Sequence, residues 1–246
     1  MKKSIIYRIL FLMIINLIIV NTSRSQVLIS LLLGDVLNSG GVEFGLTGGA
    51  NMSWIDGQQD AKHLTTFNIG FYFDIRMKNQ WYLYTGVLVK ANLGASSLNP
   101  YYIGNKEIDT LMKNGRVERR LKYFNVPIMV KYRTKMGIYF KGGFQLGLLH
   151  KGHDIFKEKI IDKEDLQFTY EITDELRRID AGLSAGLGYK FQKGIGVNIG
   201  ARYYYGLVDI YKAGNQSGNN SSIYFFVDIP IGANKSKDKV NNEIKN

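Results

Sequence analysis

Glu43, Asp74, Arg76, Lys90, Lys131, Lys141, Arg178, Asp180, Lys190, Arg202 and Asp228 share one property. Each stands at an alternate position of an otherwise apolar run. If those runs are β-strands, all of these side chains leave on one face, because successive strand residues point to opposite sides. Seven are cationic and four acidic. Gathered inside a narrow barrel they must pair, since an isolated buried charge is costly. Two chemistries fit such a set. One is a packed salt-bridge network that holds strand register and blocks flow. The other is a narrow, cation-lined lumen that favours anions.

Other reactive residues are sparse. The histidines are His63, His150 and His153, and there is no cysteine. His150-Lys-Gly-His153 would put its two rings on opposite faces of a regular strand, and no third ligand is spaced to complete a metal site. His150 has the parity of the apolar face. The His-x-Ser spacing of lipid-cleaving outer-membrane barrels is absent beside it. Gly182, Gly186 and Gly188 lie inside an alternating run with no following helix to receive a phosphate. The chain therefore reads as non-enzymatic, without cofactor or metal.

The elements that position the charges are strands. In Thr66–Met77, Phe67, Ile69, Phe71, Phe73, Ile75 and Met77 take every second place, against Asn68, Gly70, Tyr72, Asp74 and Arg76. After three polar residues, Trp81–Leu93 repeats the pattern: Leu83, Thr85, Val87, Val89, Ala91 and Leu93 face one way, and Tyr82, Tyr84, Gly86, Lys90 and Asn92 the other. Each run has the roughly 9–11 residues that a tilted strand needs to cross a bilayer, and the short link is a hairpin. The same alternation predicts strands over 42–54, 120–132, 137–149, 177–191, 195–208 and 222–232. The fold expected is all-β, an eight-stranded antiparallel transmembrane barrel of outer-membrane type. The inward places pair small residues with long ones, as in Gly182-Leu-Ser-Ala-Gly-Leu-Gly-Tyr-Lys190, which suits a crowded interior.

Connections alternate in length. Those at 78–80, 134–136 and 192–194 are tight, whereas 55–64, 96–118, 151–175 and 209–221 are long and polar. Short periplasmic turns and long external loops are the asymmetry of outer-membrane barrels, so both termini are expected in the periplasm. Residues 1–25 have the form of a cleaved secretory signal: Lys2, Lys3 and Arg8, then the apolar run Ile9–Val20, then Ser23-Arg24-Ser25. Residues 26–41 read as a periplasmic entry segment, 42–233 as the barrel, and 234–246 as a polar, disordered tail. The same alternation also fits a soluble, lipocalin-like ligand-binding barrel with the two faces exchanged.

The net charge is +11. Its Lys and Arg are dispersed, with no basic helix or nucleic-acid motif. An anionic outer-membrane surface rich in lipopolysaccharide matches the sign. The partners expected are outer-membrane lipids, lipopolysaccharide and other envelope proteins, with no nucleic acid. Nothing in the residues specifies an oligomeric state.

The entry segment Leu28–Trp54 (LISLLLGDVLNSGGVEFGLTGGANMSW), Tyr123–Tyr132 (YFNVPIMVKY) and Gly182–Phe191 (GLSAGLGYKF) resemble the PorT-like outer-membrane β-barrel proteins of the Bacteroidetes. The resemblance spans essentially the whole chain after the leader. It implies an outer-membrane location and a barrel and little about activity; the founding member is tied to protein secretion, a role that a shared barrel alone does not carry over. The role expected of the chain is structural or partner-binding in the envelope. A narrow pore or transport component is the alternative.

Overall fold

The structure, a computed structural model, describes residues 41–58, 61–161, 164–212 and 217–231. The expected leader, nearly all of the entry segment and the polar tail lie outside the described residues. The strands are β1 Val42–Asp56, β2 Leu64–Lys78, β3 Trp81–Leu98, β4 Arg116–Arg133, β5 Ile138–Ile161, β6 Glu164–Glu171, β7 Ile179–Lys190, β8 Asn198–Asp209 and β9 Asn219–Pro230. A short helix, α1 Lys106–Leu111, lies between β3 and β4.

Eight strands close a ring in the order β1-β2-β3-β4-β5-β7-β8-β9, with β9 returning to β1. Every neighbour pair is antiparallel. Closure leaves the ring no free edge, the condition for placing backbone amides in a hydrocarbon layer. β6 stands outside the ring and, among the described residues, pairs only with the far half of β5.

Strands β3, β4 and β5 run further than the alternation predicts, whereas β7 and β8 are shorter than expected. Stretches 96–118 and 151–175 do not form plain loops: β3 reaches Leu98, β4 begins at Arg116, and β5 continues to Ile161 before folding back as β6. At one end of the barrel the strands join through tight turns, one of them carried by Asn79 in a left-handed conformation (φ 53). This turn end contrasts with the opposite loop end, where β3, β4, β5 and β6 rise past the ring.

The apolar face points outward. Phe67, Ile69, Val87, Ile128, Val130, Phe140, Phe144, Leu146, Leu183, Leu187, Leu207, Phe225 and Val227 are all exposed, while Asn68, Asp74, Lys131, Lys141, Asp180, Arg202 and Asp228 are buried. This settles the ambiguity of parity against a soluble barrel, which would reverse the two sets. Aromatic pairs mark the belt at the turn end: Trp81 with Tyr132 at 4.9 Å and Tyr189 with Phe191 at 5.2 Å between centroids. Small inward residues make room for large ones. A Cβ on Gly188 would collide with the Tyr139 hydroxyl, and one on Gly45 would meet the Tyr72 ring at 2.5 Å.

Bulges break the alternation at one level of the wall. β3 carries an extra residue at Val89–Lys90 opposite Phe124, and β5 carries one at His150, also beside Phe124. A bulge flips the faces of everything after it. Ala91 and Leu93, expected outside, are buried within, and Lys90, expected in the interior, is exposed on the outer wall. The freed backbone is satisfied from neighbouring strands. Asn51 Nδ2 donates to the Asn92 carbonyl at 2.9 Å and Thr66 Oγ1 at 3.2 Å, and the Asn92 amide donates to Asn68 Oδ1 at 3.0 Å. The second bulge carries His150 and His153 to the same outer face, where a regular strand would separate them.

Candidate functional site: a layered interior and a pinned extension

The interior falls into three layers along the barrel axis. A mouth of about 930 Å³ opens at the turn end, lined by Glu43, Arg76, Tyr82, Arg133 and Lys190 among others. Its charges are tethered. Lys190 pairs with Glu43, Tyr72 donates to Glu43 Oε1 at 3.0 Å, and the Arg133 guanidinium sits 4.2 Å from the Tyr82 ring centroid. Arg76, expected within, lies exposed at this rim.

The middle layer holds the most deeply buried charges. Lys131 Nζ bonds Asp74 Oδ2 at 2.5 Å, with both side chains almost fully enclosed. Lys131 also lies 4.1 Å from the Tyr139 centroid. Lys141 Nζ has no hydrogen-bond partner among the described residues and is held instead between rings, 3.7 Å from the Tyr84 centroid and 3.9 Å from that of Phe226. Such cation–π contacts strengthen where water is excluded. Asp228, fully enclosed, faces Lys141 and Lys131 electrostatically, and Arg202 lies 5.3 Å from the Tyr224 centroid. Nearer the loop end, Asn220 Nδ2 donates to Asp180 Oδ2 at 2.9 Å.

The third layer is apolar. Leu93, Leu121, Leu149, Leu176 and Ile210 fill the barrel at the loop end and belong to one continuous core that includes Val117, Phe156 and Met112. A lumen that is polar at the turn end thus ends in packed aliphatic side chains.

Above that layer stands a buried polar cluster whose members lie outside the spans expected to be strands. Arg119 Nε donates to Asp154 Oδ1 at 2.8 Å and a terminal nitrogen to Asp154 Oδ2 at 2.5 Å. Its other terminal nitrogen reaches the Tyr211 hydroxyl at 2.5 Å, and the Tyr101 hydroxyl donates to Asp154 Oδ2 at 2.8 Å. Four segments, β4, β5 and the loops before β4 and after β8, meet there. Burial by itself would ease deprotonation of the Arg119 guanidinium, but the Asp154 carboxylate holds its proton more firmly than usual. Burial and Asp154 together push the Tyr101 hydroxyl well above its ordinary value. Burial likewise raises that of Tyr211, against the pull of Arg119. The signal for this cluster lay in a continued alternation: Val117, Arg119 and Leu121 on β4, and Gly152, Asp154 and Phe156 on β5, all turn inward.

Arg178, expected in the interior, is exposed just before β7 and pairs with Asp174 at 3.3 Å. Lys90 and Arg178 therefore leave the proposed interior set, and the other cations and acids of that set line the mouth or the middle layer. His63 packs edge-on against Trp54 at 4.9 Å, His150 faces Phe124 at 5.7 Å, and His153 Nδ1 lies 2.8 Å from the Gly152 carbonyl. No group of three or more metal-ligating side chains gathers among the described residues.

Comparison with known proteins bears on the fold. Among solved structures, the attachment invasion locus protein Ail of Yersinia pestis is similar at 13% identity and a TM-score of 0.39, covering 78% of this chain and all (100%) of its own. The outer membrane protein OprG of Pseudomonas aeruginosa gives 13% identity and 0.36, covering 77% of this chain and 93% of its own. AlkL, solved in lipid bilayers, gives 13% and 0.38, covering 79% and 93%. No curated protein matches the chain. The family model for the outer membrane protein beta-barrel domain matches residues 26–212. With a closed ring, an outward apolar belt and an inward charge layer already in view, that match assigns the chain: it belongs to the outer-membrane β-barrel domain family.

Proposed function

We propose that this protein is a non-enzymatic envelope component that binds a partner through its loop end and does not conduct solutes. The side assignment follows the family architecture, with tight turns in the periplasm and the long extension outside. One observation carries the reading: a polar lumen closed by an aliphatic layer, beneath an extension pinned by Arg119 and Asp154. A closed interior does not need a rigid cap for its own sake, whereas a binding surface does. Apolar side chains project from that cap. Tyr102 is 83% exposed and Leu111 55% exposed, both between β3 and β4. The narrower kinship with PorT-like barrels, a secretory leader, contact with outer-leaflet lipids and a partner in protein secretion belong to the same proposal. They are supported by Tyr123-Phe-Asn-Val-Pro127, the basic residues of 1–8 and the positive balance of the chain.

Planar-bilayer recording of the refolded chain tests the closed lumen. No unitary steps are expected at any applied voltage. Discrete steps that scale with salt would restore the narrow-pore reading. A photo-cross-linker placed at Tyr102 in cells should trap a defined envelope protein, while the same group at Met136 on a tight turn should not trap it. Equal products from both positions would remove the loop end as the binding surface.

A further inference from the structure

We infer that a cationic groove on the outer wall, where the apolar belt meets the loop end, binds the phosphate groups of an outer-leaflet lipid. The groove has a volume of about 530 Å³ and crosses β2, β3 and β4. Lys90, Arg120 and Lys122 line it above Phe67, Val89 and Phe124. Its occupant must be amphiphilic, because it meets cations on one side and a lipid-facing apolar floor on the other.

The bulges build this surface. Without the extra residue at Val89–Lys90, the Lys90 side chain would enter the barrel; with it, Lys90 stands outside, level with Phe124. The bulge in β5 turns Lys151 outward next to His150 on the other side of Phe124, with Lys151 directly opposite Lys122. Re-aiming a side chain is what bulges do near functional surfaces. Here both act at one height and bring positive charge to the wall. A cation on the lipid face is tolerated only near the interface, where its stem lies on apolar neighbours and its head reaches polar groups.

The charge balance points to an anion. Glu118 is the acid on this wall that engages the cluster, and it bonds both Arg120 and Lys157. Lys90 and Lys122 have no ion-pair partner among the described residues. Two free ammonium groups beside a shared guanidinium complement a phosphorylated headgroup, and charge-assisted bonds to phosphate are short and strong. A zwitterionic headgroup supplies no net charge to match them. The inference rests on the side assignment proposed above only for which leaflet supplies the lipid.

The test uses the refolded full barrel in neutral detergent, titrated with lipid A and read by native mass spectrometry. Lys90→Gln with Lys122→Gln should weaken lipid A binding about tenfold or more, since each change removes a charge-assisted contact with phosphate. Phosphatidylcholine binding should not change. Lys135→Gln with Lys193→Gln removes equal charge at the turn end and should leave lipid A binding intact. Lys90→Arg with Lys122→Arg should retain it, which separates charge from misfolding. Equal loss from both glutamine pairs would reduce the effect to net charge and overturn the inference, as would unchanged binding in the first pair. Displacement of lipid A by equimolar inorganic phosphate would show an anion site with no lipid specificity and would also overturn it. Binding in detergent does not depend on orientation, so a failure here is distinct from a failure of the side assignment.

Discussion

Arg119 and Asp154 lie 35 residues apart and meet through two hydrogen bonds, buried from solvent, at the point where the barrel becomes a free-standing extension. The pair ties β4 to β5 above the last apolar layer of the lumen. Breaking it should release the extension without opening the ring. Asp154→Ala leaves a guanidinium buried without its counter-charge, a change that costs about 3–5 kcal/mol. Limited proteolysis should then cut between β3 and β4 while heat-modifiable gel mobility still reports a closed barrel. The double change Arg119→Met with Asp154→Leu should recover much of the protection. Equal protease resistance of wild type and Asp154→Ala would show that the pair does not hold the extension.

Lys131 and Asp74 make the corresponding link inside the ring, at 2.5 Å. Lys131→Met should lower unfolding stability by about 3–5 kcal/mol, because Asp74 is left without its partner in an enclosed site. Lys131→Met with Asp74→Leu should cost markedly less, since both charges are then gone. Urea unfolding in lipid vesicles measures both, and equal losses would mean that the pair contributes little beyond shape.

Val87 faces lipid near the middle of the belt, whereas Val89 sits at its loop-end edge beside Lys90. Val87→Arg should cost about 2–4 kcal/mol and Val89→Arg about 0–1 kcal/mol. Matching costs would place the membrane boundary elsewhere on β3.

Glu118 predicts a pH response of the extension. Burial works to raise its carboxyl, but hydrogen bonds from Lys157 and Arg120 outweigh this and hold it below the ordinary glutamate range. A carboxyl depressed in the folded state stabilises that state at pH above its unfolded value. The contribution is lost as pH falls through the lower, folded value. Protease protection of the β4–β5 extension should therefore weaken in acid below the usual glutamate pKa, and Glu118→Gln should flatten that dependence. A profile unchanged by Glu118→Gln would assign the acid sensitivity to another group.

Alternation with a period of two is a property of adjacent residues, so the strands and the grouping of Asp74, Lys131, Lys141, Arg202 and Asp228 on the face opposite the apolar one were legible in the sequence, whereas which face looks outward was not. Only the tertiary structure decided where the alternation slips. Lys90 turns outward because Asn51, Thr66 and Asn68, on neighbouring strands, satisfy the backbone at Asn92 that a bulge leaves unpaired. Arg178 lies beyond the start of β7 because the ring pairing of that strand begins at Ile179, opposite Leu148. Stretch 151–175 carries enough charge to read as a loop, yet Phe156 and Phe168 face each other across a hairpin whose register no local pattern specifies. Arg119 and Asp154 find each other only once β4 and β5 pair beyond the membrane belt. Period and polarity are local, and they determine strands and faces; register, bulges and ion pairing join distant segments, and closing the ring decides them.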